Sequence, residues 1–304
     1  MEIKLGLKSD PIETRYTFDW LFELLAEEGV PYVQLGSFAE LYTLEDGWFL
    51  ELRAKAERWG IAIKSCFTTH RDLGGFFLDD PYRERSTRAM FERYIRVAAL
   101  VGADSVGGNP GSVPRDRPEL KAGGIERYLR HMKELMGFAH AAGLKWLALE
   151  PMSCLAEPPT LPEELDRILG ELAEHHRRHP TATVPVYACA DIGHGYADET
   201  RRVVHDNWSL FERQIPWMGA FHFKNTDRHF DATLGFSAEE RRRGIVDLER
   251  LKDLIERNAE RFPIRPLVGY FETGGPKIGR DYTDRELRRT LTESIRAIQA
   301  VFGR

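Results

Sequence analysis

The chain has 304 residues, 42% of them apolar and 30% charged, and 48 acidic against 43 basic side chains leave a formal charge of −5. That length can bury one large α/β core or two ordinary ones, and the acid excess argues against a polyanion binder, so no nucleic-acid partner is expected. No apolar run approaches the ~20 residues of a membrane span, and the three scattered cysteines (Cys66, Cys154, Cys189) exclude a disulfide scaffold and fit a reducing, cytoplasmic setting.

From the N-terminus onward a short apolar run, a loop and a long amphipathic stretch alternate. The first residues lack the apolar core of a secretory signal and read as a strand. The strand-like runs are Ile3–Leu7, Tyr32–Leu35, Ile61–Phe67, Ser105–Gly108, Trp146–Glu150, Val186–Asp191, Ala220–Lys224 and Leu267–Glu272. Between them lie helical periods. Ile125, Tyr128, Leu129, Met132, Leu135, Met136 and Ala139 recur at three and four and form one face. Thr160 with Glu163, and Thr283 with Glu286, read as capping boxes, and Gly29, Gly60, Gly102 and Gly143 read as left-handed helix ends.

Eight strand–helix units imply parallel pairing and predict an α/β fold, a single (β/α)8 TIM barrel over 1–304. The competitor, an open doubly wound sheet, would carry G-x-G-x-x-G after its first strand, and none is present. The strand-to-helix loops are long and the return turns short, which places a site at the carboxyl ends of the strands.

Those ends carry chemistry. L-A-L-E ends the fifth run at Glu150, A-C-A-D-I-G-H places Asp191 and then His194, A-F-H-F-K-N places His222 and Lys224, and G-Y-F-E ends the eighth at Glu272. A charged group ending an apolar strand is costly to bury uncompensated, and carboxylates converging on a barrel mouth repel unless a divalent cation joins them. Three carboxylates and one imidazole suit Mn²⁺ best, with Mg²⁺ or Co²⁺ as alternatives.

With these motifs the whole chain resembles the xylose-isomerase-like TIM-barrel sugar isomerases and epimerases, and especially the ketose 3-epimerases. The resemblance implies that Glu150, Asp191, His222 and Glu272 bind one divalent metal, with Glu150 and Glu272 also serving as acid and base. It implies substrate contacts from His194, Arg228 and Glu157, the last one residue later than the family spacing. The implied reaction is inversion at C3 of a ketose or ketose phosphate, of tetrulose to hexulose size, through a cis-enediolate. The pattern looks most like the erythrulose-phosphate epimerase branch. A homo-oligomer, dimer or tetramer, is expected by the same analogy.

Lys224 shares a strand face with His222, and with Lys277 it is a candidate anchor for substrate phosphate. His70 and Asn109 open the loops after the third and fourth strands and are further candidate contacts. An aldose–ketose isomerase on the same scaffold is the nearest alternative. An apurinic endonuclease-like repair enzyme is a remote one, since Asn109 stands where another histidine would be wanted and the net charge is acidic. His175, His176 and His179 read as a surface cluster, Glu239–Arg243 as a solvated turn, and Phe76 and Phe77 as loop core.

Overall fold

Runs of four to seven residues, too short for a stable helix and rich in apolar side chains, satisfy their backbone groups by pairing with one another. In the computed structural model, which describes residues 1–13, 15–68, 70–274 and 281–303, the barrel strands are β1 (Ile3–Lys8), β2 (Tyr32–Leu35), β3 (Ala62–Thr68), β4 (Ser105–Gly108), β5 (Trp146–Leu149), β6 (Val186–Asp191), β7 (Met218–Phe223) and β8 (Leu267–Phe271). They form a closed barrel in the order β1-β8-β7-β6-β5-β4-β3-β2. Each is followed by one long helix: α1 (Phe18–Glu28), α2 (Asp46–Arg58), α3 (Pro81–Leu100), α4 (Leu120–Ala141), α5 (Pro162–Arg178), α6 (Asn207–Gln214), α7 (Leu248–Arg257) and α8 (Leu287–Phe302). This is the TIM-barrel architecture. Among the described residues no helix is long and apolar enough to cross a membrane.

Contacts are densest within two sets of segments. The first comprises Met1–Gly36, Glu51–Ile63 and Ala190–Arg304. Here β1 pairs with β8 (Gly6 opposite Tyr270) and with β2 (Gly6 opposite Tyr32), and β8 pairs with β7 (Gly269 opposite Phe221). Packing leaves no room at the strand glycines: a Cβ on Gly269 would stand 2.3 Å from Phe223 and 2.5 Å from Phe221. Phe211 meets Phe221 edge-on at 5.8 Å, and Phe302 of α8 meets Phe223 at 5.0 Å. Rings buried this way contribute roughly 1.5–3 kcal/mol each.

The second set comprises Ser37–Leu50 and Lys64–Cys189. Here β3, β4, β5 and the start of β6 run parallel, with Ser65 opposite Ser105, Val106 opposite Leu147 and Leu147 opposite Val186. The loop after β3 folds inward. Phe76 stacks on His131 at 4.4 Å, and both Phe76 and Phe77 are fully buried, so they are loop core as predicted.

Helix starts follow the chemistry of orphan N–H groups. Asp80 accepts from Tyr82 N at 2.8 Å and Asp206 from Trp208 N at 3.0 Å. Gly29, Gly60, Gly102 and Gly143 hold φ of 70°, 71°, 77° and 83°, the left-handed ends expected of them. The capping box at α5 differs from expectation. At α5 it is Glu164, not Glu163, that reaches back to Thr160 N (3.0 Å) and Leu161 N, because Pro162 occupies the first helical position and shifts the box by one. At α8 the helix opens at Leu287 after Glu286, whose side chain makes no cap bond, and the side chain of Thr283 lies outside the described residues. The long loop after His194 also holds an unpredicted hairpin, Tyr196–Ala197 against Val203–His205.

Candidate metal centre

The predicted site residues stand at or just beyond the last ladder positions. Glu150 follows β5 and its N–H still donates to Gly108 O at 3.2 Å; Glu272 follows β8 and donates to Phe223 O at 3.0 Å. Asp191 ends β6, and His222 lies within β7. One ligand atom from each of Glu150, Asp191, His222 and Glu272 falls within 4.8 Å of the others, and among the described residues this is the one cluster of metal-ligating side chains. Glu150, Asp191 and His222 are 4%, 1% and 0% exposed.

Three carboxylates this close are unstable without positive charge. Two lysines supply some. Lys224 Nζ is 2.9 Å from Asp191 Oδ2 and 3.4 Å from Glu272 Oε1; Lys8 Nζ, at the end of β1, is 3.0 Å from Glu272 Oε2. Burial works to raise the Glu272 pKa, but Lys8, His222 and Lys224 outweigh it and hold the carboxyl well below its usual range. Burial pushes Asp10 upward, against the pull of Lys8.

Both nitrogens of His222 meet oxygen. Nδ1 is 3.0 Å from Glu272 Oε2, and Nε2–H donates to Gln34 Oε1 at 2.9 Å. Gln34 is fully buried on β2 and fixes the ring with Nδ1 toward the quartet. Asn109 Nδ2 donates to Glu150 Oε2 at 2.7 Å and so holds that carboxylate. The D-I-G-H turn after β6 is tied by Gly193 N–H donating to Asp191 Oδ1 at 2.7 Å, which returns His194 Nε2 to 3.2 Å from Asp191 Oδ2 and 3.1 Å from Lys224 Nζ.

The donor set fits a hard divalent ion. Asp191 Oδ2 is buried with no aligned hydrogen bond, Lys224 and His194 being close neighbours only, which is the condition of an oxygen available for coordination.

The other predicted contacts lie differently. Lys224 is inside the carboxylate cluster, so a substrate phosphate would compete with Asp191 and Glu272 for its ammonium. Glu157 pairs with Arg115 at 3.6 Å, and Arg228 is exposed. Lys277 lies outside the described residues, as does the side chain of His70. Sequence reasoning missed Lys8, Asp10 and Gln34. The test applied to the later strands, a polar side chain closing an apolar strand, would have flagged Lys8 and Gln34 as well.

Fold and site together define a class: a parallel (β/α)8 barrel that gathers three carboxylates and an imidazole at the carboxyl ends of its later strands. The chain belongs to the xylose isomerase-like TIM barrel family, whose description matches residues 22–262. No curated protein matches it in sequence. Among solved structures it is similar to a Rhodospirillum rubrum protein provisionally described as a xylose isomerase (21% identity, 98% of this chain and 99% of that one, TM-score 0.77). It is also similar to a D-psicose 3-epimerase crystallised in the presence of D-fructose (16% identity, 99% and 100% covered, TM-score 0.72). An L-ribulose 3-epimerase aligns at 12% identity over 100% and 95%, with a TM-score of 0.67. At these identities the likeness is one of fold.

Proposed function

We propose that this chain is a divalent-metal-dependent sugar epimerase, one catalytic domain over 1–304, that inverts C3 of a ketose. The observation that carries the reading is the quartet of Glu150, Asp191, His222 and Glu272 with its ligand atoms within 4.8 Å. Mn²⁺ is the ion the donor set suits best, with Mg²⁺ or Co²⁺ as substitutes. When bound, such an ion supplies Lewis-acid polarisation of the substrate carbonyl and acidifies the neighbouring C–H.

The protein side chains do the rest. Glu150, steadied by Asn109, and Glu272, steadied by Lys8, are the two proton-transfer groups: one, ionised, takes the C3 proton, giving an enediolate, and the other, protonated before the step, gives its proton to the opposite face, so the two exchange protonation states in each turnover. Asp191 and His222 are plain ligands, the latter aligned by Gln34. His194 and Lys224, 3.1 Å apart, are suited to hold substrate hydroxyls and stabilise developing negative charge, and the family resemblance assigns the more distant hydroxyls to Arg228 and Glu157. The unphosphorylated ketose ranks ahead of its phosphate as substrate, because Lys224 is already paired with Asp191 and Glu272. The cytoplasmic setting rests on the three scattered cysteines, and the homo-oligomeric state on the family resemblance.

The test is turnover in D₂O. The Mn²⁺-loaded protein is incubated with ketotetroses, ketopentoses, ketohexoses and their 1- and terminal phosphates, and products are resolved by chromatography and NMR. Epimers carrying deuterium at C3 support the reading. Aldoses would assign an isomerase instead, and no product and no exchange at any carbon would overturn it.

A further inference from the structure

Lys8 closes β1, a strand that gives no member to the quartet. Its ammonium lies 3.0 Å from Glu272 Oε2 and 3.0 Å from Asp10 Oδ2, on a side chain only 4% exposed. One fixed cation thus bridges two carboxylates, one of which belongs to the metal cluster. The surrounding backbone is shaped to this arrangement. A Cβ on Gly36 would fall 1.7 Å from Asp10 Oδ1, so only glycine admits the carboxylate there. Ser9, between the two partners, accepts from Gly36 N–H at 2.8 Å and donates its own N–H to Gln34 O at 3.0 Å. The strand ends that seat Lys8 therefore also seat Gln34, which holds His222.

A buried ammonium persists only where carboxylates compensate it. Glu150, Asp191, Glu272 and Asp10 carry four formal negative charges against the two positive charges of Lys8 and Lys224. One divalent ion brings that balance to neutrality; a second would overshoot it. Two carboxylates about one cation is also the arrangement a second metal ion would need.

We propose that Lys8 is a built-in cation standing where a second metal ion would bind beside Glu272, so that the centre takes a single exchangeable divalent ion and holds it less tightly than the quartet alone would. The inference rests on the metal reading above and deepens it.

Apoprotein is titrated with Mn²⁺ by calorimetry, with stoichiometry checked by elemental analysis. The wild type takes up one equivalent. Lys8→Gln either tightens that equivalent by about tenfold or more, the scale of removing a unit charge a few ångströms from the ion, or binds a second equivalent. Lys8→Arg, which keeps the charge, retains one. Lys8→Gln with one equivalent at wild-type or weaker affinity overturns the proposal, as does a wild type that binds two. If Lys8→Gln does not fold, Lys8→Met, which also removes the ammonium and leaves Asp10 and Glu272 in place, is read in the same way. A wild type that takes up no Mn²⁺, Mg²⁺ or Co²⁺ overturns the metal reading itself and is recognised from the wild-type titration alone.

Discussion

Two groups of histidines and carboxylates on this molecule look alike in composition and differ in everything else. At the end of α5, His175 and the following His179 approach with ring centroids 4.8 Å apart, beside Glu171, Glu174, Arg177 and Arg178. All come from one helix end, the two arginines are 71% exposed, and Glu174 pairs with both. At the candidate metal centre, Asp191, His222 and Glu272 come from three different strands, and His222 is fully buried. Exposed pairs are worth about 0–1 kcal/mol each, because water and mobile ions already solvate them. Removing one partner from a buried charged cluster costs about 3–5 kcal/mol, because the other is left uncompensated. Residue type alone does not mark a site; convergence from separate elements into a buried place does.

Four variants break or sharpen that contrast, from the largest effect downward. Glu150→Gln keeps a ligand oxygen but removes a proton acceptor, so turnover should fall by about 10²–10⁴-fold while Mn²⁺ remains bound; unchanged turnover would sink the two-glutamate scheme. Gln34→Leu unfastens His222 Nε2, and loss of such a ligand-orienting partner costs about 10–100-fold in metal affinity, measured by competition titration. Wild-type affinity in that variant would mean the ring is held by other means.

The third variant concerns a half-buried carboxylate in the hairpin after β6. Hydrogen bonds from Thr200, then from the Arg202 backbone and side chain, depress Asp198 from 3.8 to about 2. Its stabilising contribution is therefore fully present above the unfolded value of 3.8 and is lost as the pH falls from there through about 2. Asp198→Asn should lower stability near neutrality and flatten the profile across that window, so that the two proteins converge at acid pH, as acid titration followed by circular dichroism can read. Smallest of all, His175→Ala with His179→Ala should change unfolding free energy by no more than about 0.5 kcal/mol and leave metal stoichiometry alone. A lost equivalent of metal in that double variant would make the α5 cluster a site after all.

Much of this was legible in the residues. The strand runs were placed to within two residues, since β-branched and apolar runs bounded by glycine leave the chain few other ways to satisfy its backbone. Glu150, Asp191, His222 and Glu272 were legible because each interrupts an apolar strand at its end. Lys8 and Gln34 interrupt β1 and β2 in the same way, but their partners, Glu272 and His222, lie more than 180 residues away in sequence. No local pattern joins such positions. Lys224 was read as an anchor for phosphate, whereas folding turns its ammonium onto two carboxylates.

The order of residues alone thus determined the alternation of strand and helix, the closure into a barrel, and which strand ends bear ionisable groups, because periodicity and burial cost act locally along the chain. The tertiary structure alone decided how those charges are matched: which lysine faces which carboxylate, which amide holds the imidazole, and which carboxylate oxygen keeps no hydrogen bond. Electrostatic pairing depends on distance in space, and only the closed barrel brings the first two strands against the last.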